Sequence, residues 1–113
     1  FYDVEVSGKT RKGIAAVRDD GYMFLLDRET GKPIIPVEER PVKQNLHNKT
    51  SPTQPYPVGA DQIVPNCIGQ DMGAPSGFEL SCFFDAVDLD RPNVVLPASA
   101  VRVAPGSFDP QTG

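Results

Sequence analysis

Residues 13–40 read GIAAVRDDGYMFLLDRETGKPIIPVEER, and this stretch decides the fold as two strands and the opening of a third. Residues 13–17 are a short β-rich run. Asp20-Gly21 supplies the left-handed residues of a tight hairpin, and residues 22–26 return as an apolar strand without polar alternation. A strand apolar on both sides is expected to be covered on both sides. Asp27-Arg28-Glu29-Thr30-Gly31 then makes a second turn, in which the Asp27 carboxylate and Thr30 hydroxyl can bond backbone amides and Gly31 can take a positive φ. Residues 32–37 lead out as a third strand, broken by Pro33 and Pro36, which remove amide donors and confine it to an edge or to a brief run.

Working outward, Tyr2, Val4 and Val6 alternate with Asp3 and Glu5 in the manner of a strand, and residues 7–12 read as an exposed hairpin loop. From residue 38 to 77 the sequence is rich in Pro, Asn, Gln, Ser and Thr, with few apolar runs. An uninterrupted connection of that length is uncommon in a compact fold and is usually functional or disordered. An ordered excursion over one face is expected. Residues 78–84, FELSCFF, form the second well-marked strand, followed by an acidic turn with Asp85, Asp88 and Asp90. Short apolar strands are expected at 93–96 and 100–103, and a last hairpin begins at Phe108.

The chain has 113 residues, 39% of them hydrophobic, with 12 Pro and 10 Gly. That suits a turn-rich, all-β protein, and no window keeps a helical period. A net charge of −4 and a pI near 4.8 argue against nucleic acid or an anionic membrane surface as partner, because both require clustered positive charge. Lys9, Arg11 and Lys12 form a small basic cluster that reads as a solvated hairpin tip. No apolar run approaches the roughly 18–20 residues of a membrane-spanning helix. The sequence opens on the strand-like FYDVEV without Met or a signal pattern, and it closes on an Asp-x-x-Thr-Gly turn that would feed another strand. Both ends fit a processed product or a piece of a longer one.

Single features carry less. His47 has no Cys, Asp or Glu at metal-ligand spacing, and Asn48-Lys49-Thr50 matches a glycosylation acceptor that has meaning only in a secreted eukaryotic protein. The three carboxylates at 85–90 lack the central Gly and closing Glu of a calcium loop. Cys67 and Cys82, with 14 residues between them, are too few for structural zinc; they would be a disulfide in an exported protein and two thiols in a cytosolic one.

The order of motifs goes beyond a generic meander. DGYMFLLDRETGKPIIPVEERPV, then SPTQPYP at 51–57, resembles the pyrroloquinoline quinone (PQQ) dependent alcohol and sugar dehydrogenases, in which an aromatic strand, an LDR-x-x-G turn, a P-x-E-E/K-R/K-P-V segment and a P-T-Q-P-F/Y loop follow one another. The tail, APGSFDPQTG at 104–113, is similar to the family's F/Y-D-P-x-T-G hairpin. The resemblance implies part of an eight-bladed β-propeller around a cofactor on its axis. A blade takes about 40–50 residues, so this chain amounts to about two. Residues 1–39 would be blade strands, 40–77 a long Pro-rich loop near the active-site entrance, and 78–113 strands of the following blade.

What the resemblance implies about chemistry is oxidation of an alcohol or sugar hydroxyl, with hydride passing to PQQ, a calcium ion polarising the quinone and an aspartate acting as base. The family's calcium ligands and base lie upstream of the matched region, so no catalytic residue or metal ligand is assigned to this chain. Two residues before the glycine that opens the aromatic strand, the family places a Lys or Arg against the quinone oxygens; here that position holds Asp19, with Arg18 alongside and aimed at the other face. Near the tail, Arg102 stands where family members often carry an Asn that reaches the cofactor. Arg18, Asp19 and Arg102 are therefore the candidate cofactor-binding residues. The resemblance also implies a periplasmic or secreted location, a Cys67–Cys82 disulfide, other chains or segments that complete the propeller, and a cytochrome or similar electron acceptor. Two further readings stay open: a non-catalytic propeller fragment serving as scaffold or interaction module, and a self-contained small β-domain.

Overall fold

In a computed structural model of the chain, residues 1–95, 109 and 111 are described. Seven strands and one short 3-10 turn, Gln70–Met72, account for their regular structure. An antiparallel sheet of β1 (Tyr2–Val6), β2 (Lys9–Val17) and β3 (Met23–Asp27) opens the chain. β4 (Val37–Pro41) and β5 (Thr53–Pro57) form a second antiparallel pair, and β6 (Glu79–Ser81) pairs in parallel with β7 (Asn93–Val95). The all-β class expected from the sequence is what the described residues form. The strands expected at 100–103 and from Phe108 lie outside the described residues, except that the Gln111 amide donates to Asp109 Oδ1 at 2.8 Å.

The turns explain the first sheet. The expected loop at 7–12 is only two residues long: Ser7 (φ 54°) and Gly8 (φ 72°) both take positive φ, the requirement of a tight I′ hairpin whose twist matches its strands. Residues 9–12 are therefore already strand. At the next hairpin only Gly21 is left-handed (φ 86°), and Asp20 is not. Gly21 N–H bonds Arg18 C=O, and Arg18 N–H bonds Tyr22 C=O, both at 2.9 Å, which makes a three-residue loop ending in a bulge. In the turn after β3, Asp27 Oδ1 accepts from the Glu29 and Thr30 amides and from the Thr30 hydroxyl, and Gly31 (φ 71°) closes the loop. Those bonds, the Thr30 hydroxyl first among them, hold the Asp27 carboxyl below its ordinary value.

The third strand expected at 32–37 is reduced to a bridge between Leu26 and Pro33, made by two bonds at 2.7 Å, from Asp27 N–H to Lys32 C=O and from Ile34 N–H to Leu25 C=O. Past Pro36 the chain leaves this sheet. The stretch 38–77, expected as a continuous excursion, instead holds most of β4 and all of β5, paired from Val37↔Pro57 to Pro41↔Thr53. Proline does not prevent the pairing. In an antiparallel ladder the N–H and C=O of one residue point the same way, and Pro55 C=O bonds Arg18, away from β4. Pro55 and Pro57, two apart, thus both sit where the ladder needs no donor. The strand expected at 78–84 is shorter, because the Cys82 amide turns to Asp85 Oδ2 (2.8 Å) and the chain bends at Phe83 and Phe84.

Where residues 14–17 of β2 pair with β3, the first sheet is apolar on both faces. Ile14 and Ala16 lie opposite Leu26 and Phe24 on one side; Ala15 and Val17 lie opposite Leu25 and Met23 on the other. Val17 and Met23 remain half exposed, at 50% and 49%. The buried hydrophobic residues among those described are Tyr22, Tyr56 and Ala86.

Candidate functional site

The β2–β3 hairpin, β5 and the bend after β6 meet at one side chain. Arg18, the first residue after β2, donates through Nε and Nη2 to the two oxygens of Asp20 at 2.8 and 2.7 Å, and through Nη1 to Pro55 C=O at 2.7 Å. The Asp20 side chain is fully buried, and that of Arg18 is 19% exposed. The guanidinium lies over four aromatic rings, with centroids at 4.8 Å for Tyr56 and Phe84, 5.1 Å for Phe24 and 5.9 Å for Tyr22. Bidentate pairing and ring contact are what Arg does better than Lys, and both are met here.

Tyr56 is shared between two cations. Arg40 from β4 sits 4.6 Å from its ring centroid, and the Tyr22 ring meets it edge-on at 5.3 Å and 89°. Arg40 is held by Glu38 on the same face of β4 at 2.8 Å, and that bond is the main reason that its pKa is raised. Burial pushes the Tyr56 hydroxyl up, and the Arg18 charge partly offsets it. Beside these rings lies a cavity of about 400 Å3, walled by Tyr22, Arg40, Tyr56, Gln62, Asn66 and Asp85 together with the Cys67–Cys82 disulfide. A smaller, apolar cleft lies between β2–β3 and Pro55.

Of the three candidate cofactor residues, Arg18 is drawn into the interior by Asp20, while Asp19 stands exposed at the hairpin tip and Arg102 lies outside the described residues. Arg18 and Asp19 thus face different surroundings, as strand alternation requires. PQQ is an anionic tricarboxylate. The turn offers it an exposed carboxylate, and the neighbouring guanidinium spends three of its five N–H groups on Asp20 and Pro55. The residues of this turn do not fit the quinone.

Other sequence features resolve into structural roles. Asp85 accepts from the Lys43 and Cys82 amides, and Asp88 Oδ1 accepts from the Asp90 amide, so the acidic stretch closes its own turn. Among the described residues no group of three His, Cys, Asp or Glu is placed to hold a metal ion. Asn48 Nδ2 donates to Val87 C=O at 3.1 Å, and His47 is exposed. Sequence reasoning read Asp20 only as a turn residue and gave no site role to Arg40, Tyr56 or Phe84. The same-face pair Glu38-x-Arg40 on a strand was a usable signal; the burial of Asp20 depends on residues 35 to 64 positions away and had none.

Comparison with known proteins gives the lineage. Residues 1–88 match the family described as PQQ: glucose/ethanol/alcohol dehydrogenase, β-propeller domain. The glycerol dehydrogenase large subunit of Gluconobacter thailandicus is 34% identical over 124 residues, covering 94% of this chain and 17% of that protein. A probable quinate dehydrogenase (quinone) of Xanthomonas campestris pv. juglandis is 49% identical over 45 residues, 38% of this chain and 6% of its own. The quinoprotein glucose dehydrogenase of Escherichia coli K12 is 30% identical over 79 residues, 68% of this chain and 10% of its own. The chain thus spans less than a fifth of the length of these relatives. No solved structure matches it.

Proposed function

This chain belongs to the PQQ glucose/ethanol/alcohol dehydrogenase β-propeller family, and from that premise we propose that it is a segment or subunit of a periplasmic quinoprotein that oxidises a hydroxyl group of an alcohol or sugar, with PQQ as acceptor. The single observation that carries this reading is the family match over residues 1–88, which contains the whole Arg18 cluster. Relatives are named for glycerol, quinate and glucose, all of them polyhydroxylated, and a compound of that class is the proposed substrate.

In this reading the quinone and a calcium ion are held by residues beyond those described, and other chains or segments complete the ring. A cytochrome or similar carrier takes the electrons. This chain's own contribution is architectural: Arg18 draws the β2–β3 hairpin, β5 and Phe84 together, which fixes Tyr22 and Tyr56 as a rigid wall and leaves the Asp19 carboxylate on the outside.

The test is to purify the full-length gene product, reconstitute it with PQQ and calcium, and follow reduction of an electron-accepting dye on addition of glycerol, glucose or quinate. Quinone absorbance that survives gel filtration, with substrate-dependent dye reduction, is expected. A protein that retains no quinone and reduces no dye with any of the three overturns the dehydrogenase reading.

A further inference from the structure

The turn from Arg18 to Gly21 carries three charged side chains, and two of them cancel within the fold. Arg18 and Asp20 close on each other through both carboxylate oxygens, the Asp20 side chain is fully buried, and its Oδ1 also accepts from the Tyr22 amide at 3.4 Å. The third Arg18 bond, to Pro55 C=O, ties the same guanidinium to β5. Turning Arg18 outward would strand a buried carboxylate, so the guanidinium is committed to this role. Gly21, left-handed at φ 86°, lets the chain reverse directly after Asp20. Asp19 is what remains: it is exposed, and among the described residues no hydrogen bond or ion pair is made to its carboxylate. The net charge of the turn is therefore negative and is carried by Asp19.

We infer that this turn is a structural clamp whose free carboxylate opposes PQQ, and that Asp19 lowers the affinity of the full-length protein for the quinone. Asp19 occupies the position at which the resemblance calls for a cation. PQQ carries three carboxylates, so a cation there attracts the ligand and an anion repels it. The neighbouring residue does not compensate, because Arg18 is engaged by Asp20 and Pro55. Retention of the quinone then falls to residues outside this turn. The inference rests on the dehydrogenase reading and is tested by quinone binding, without turnover.

The experiment is equilibrium dialysis of PQQ against the full-length protein in the presence of calcium, for the native sequence, Asp19→Asn and Asp19→Lys, at about 0.05 M and about 0.5 M salt, where charges are screened weakly and strongly. Asp19 is exposed, so both variants are expected to fold, which unchanged thermal midpoints verify. At the lower salt the dissociation constant is expected to fall several-fold from the native protein to Asp19→Asn and by about tenfold or more to Asp19→Lys, and the differences to shrink at the higher salt. Equal affinity in the three proteins overturns the inference and leaves the dehydrogenase reading intact. Weaker binding by Asp19→Lys does the same, since it makes the carboxylate a contact that favours the quinone. Quinone bound by Asp19→Lys but not by the native protein supports the inference while overturning the dehydrogenase reading. No binding by any of the three overturns both.

Discussion

Arg18 is the residue on which the described fold turns, and its energetics follow from the burial of Asp20. A carboxylate with no solvent exposure is tolerable because the guanidinium meets both of its oxygens. Replacing Arg18 with Met keeps much of the packing volume against the four rings and removes the charge. The arithmetic is asymmetric: breaking a buried pair from one side costs about 3–5 kcal/mol, whereas replacing both partners with apolar groups is often neutral. Arg18→Met is therefore expected to destabilise by about 3 kcal/mol, toward the low end because Arg18 is partly exposed, and the double variant Arg18→Met with Asp20→Leu to recover most of that loss. Urea midpoints of the full-length protein measure both. If the double variant is no better than the single one, the cost lies in lost ring contacts and not in a stranded carboxylate.

At the scale of elements, what was legible in the sequence was local. Asp27, Thr30 and Gly31 spell out their turn because the donors, the acceptor and the left-handed residue lie within five positions. The β4–β5 pair was not legible, since TQPYP looks like a loop until one knows that the Pro55 carbonyl faces Arg18 and its missing N–H is not wanted by β4. The same non-locality hid the Arg18 site, which needs three segments, and set Arg18 beside Asp19 as a cofactor candidate on chain position alone. Between β5 and β6 the fold relies on few attachments: the Cys67–Cys82 bridge and the bond from Phe83 N–H to Asn66 C=O stand out among the described residues. Closing a loop of sequence separation 15 is worth roughly 3 kcal/mol on the chain-entropy estimate. Replacing both cysteines with Ala is expected to expose residues 58–78 to limited proteolysis while β1–β3 stays protected. An unchanged cleavage pattern in that variant shows that other contacts hold the segment.

For the whole molecule, the described core is too small for the chain that surrounds it. The solvent-accessible area is 8177 Å2, against about 6,100 Å2 for a compact monomer of 12.2 kDa, and the radius of gyration is 17.5 Å, against about 13 Å for 113 residues in one globule. Three fully buried hydrophobic residues among those described are a small core against the conformational entropy of so many ordered ones. The apolar residues that would enlarge the core are present but uncovered: Val17 and Met23 line one face of the first sheet, and Ile63 and Leu89 stand elsewhere in the open. Propeller blades stack through such faces, and membership of the family gives that exposure a reason. The 113 residues expressed alone are therefore expected to unfold without a cooperative transition and to bind a hydrophobic dye, whereas the same residues within the full-length protein show slow amide exchange in β2 and β3. Hydrogen exchange on the two samples decides it. If β2 and β3 are equally protected in both, the Arg18 cluster and the disulfide suffice to hold the fold, and the apolar faces are not what stabilises the native blade.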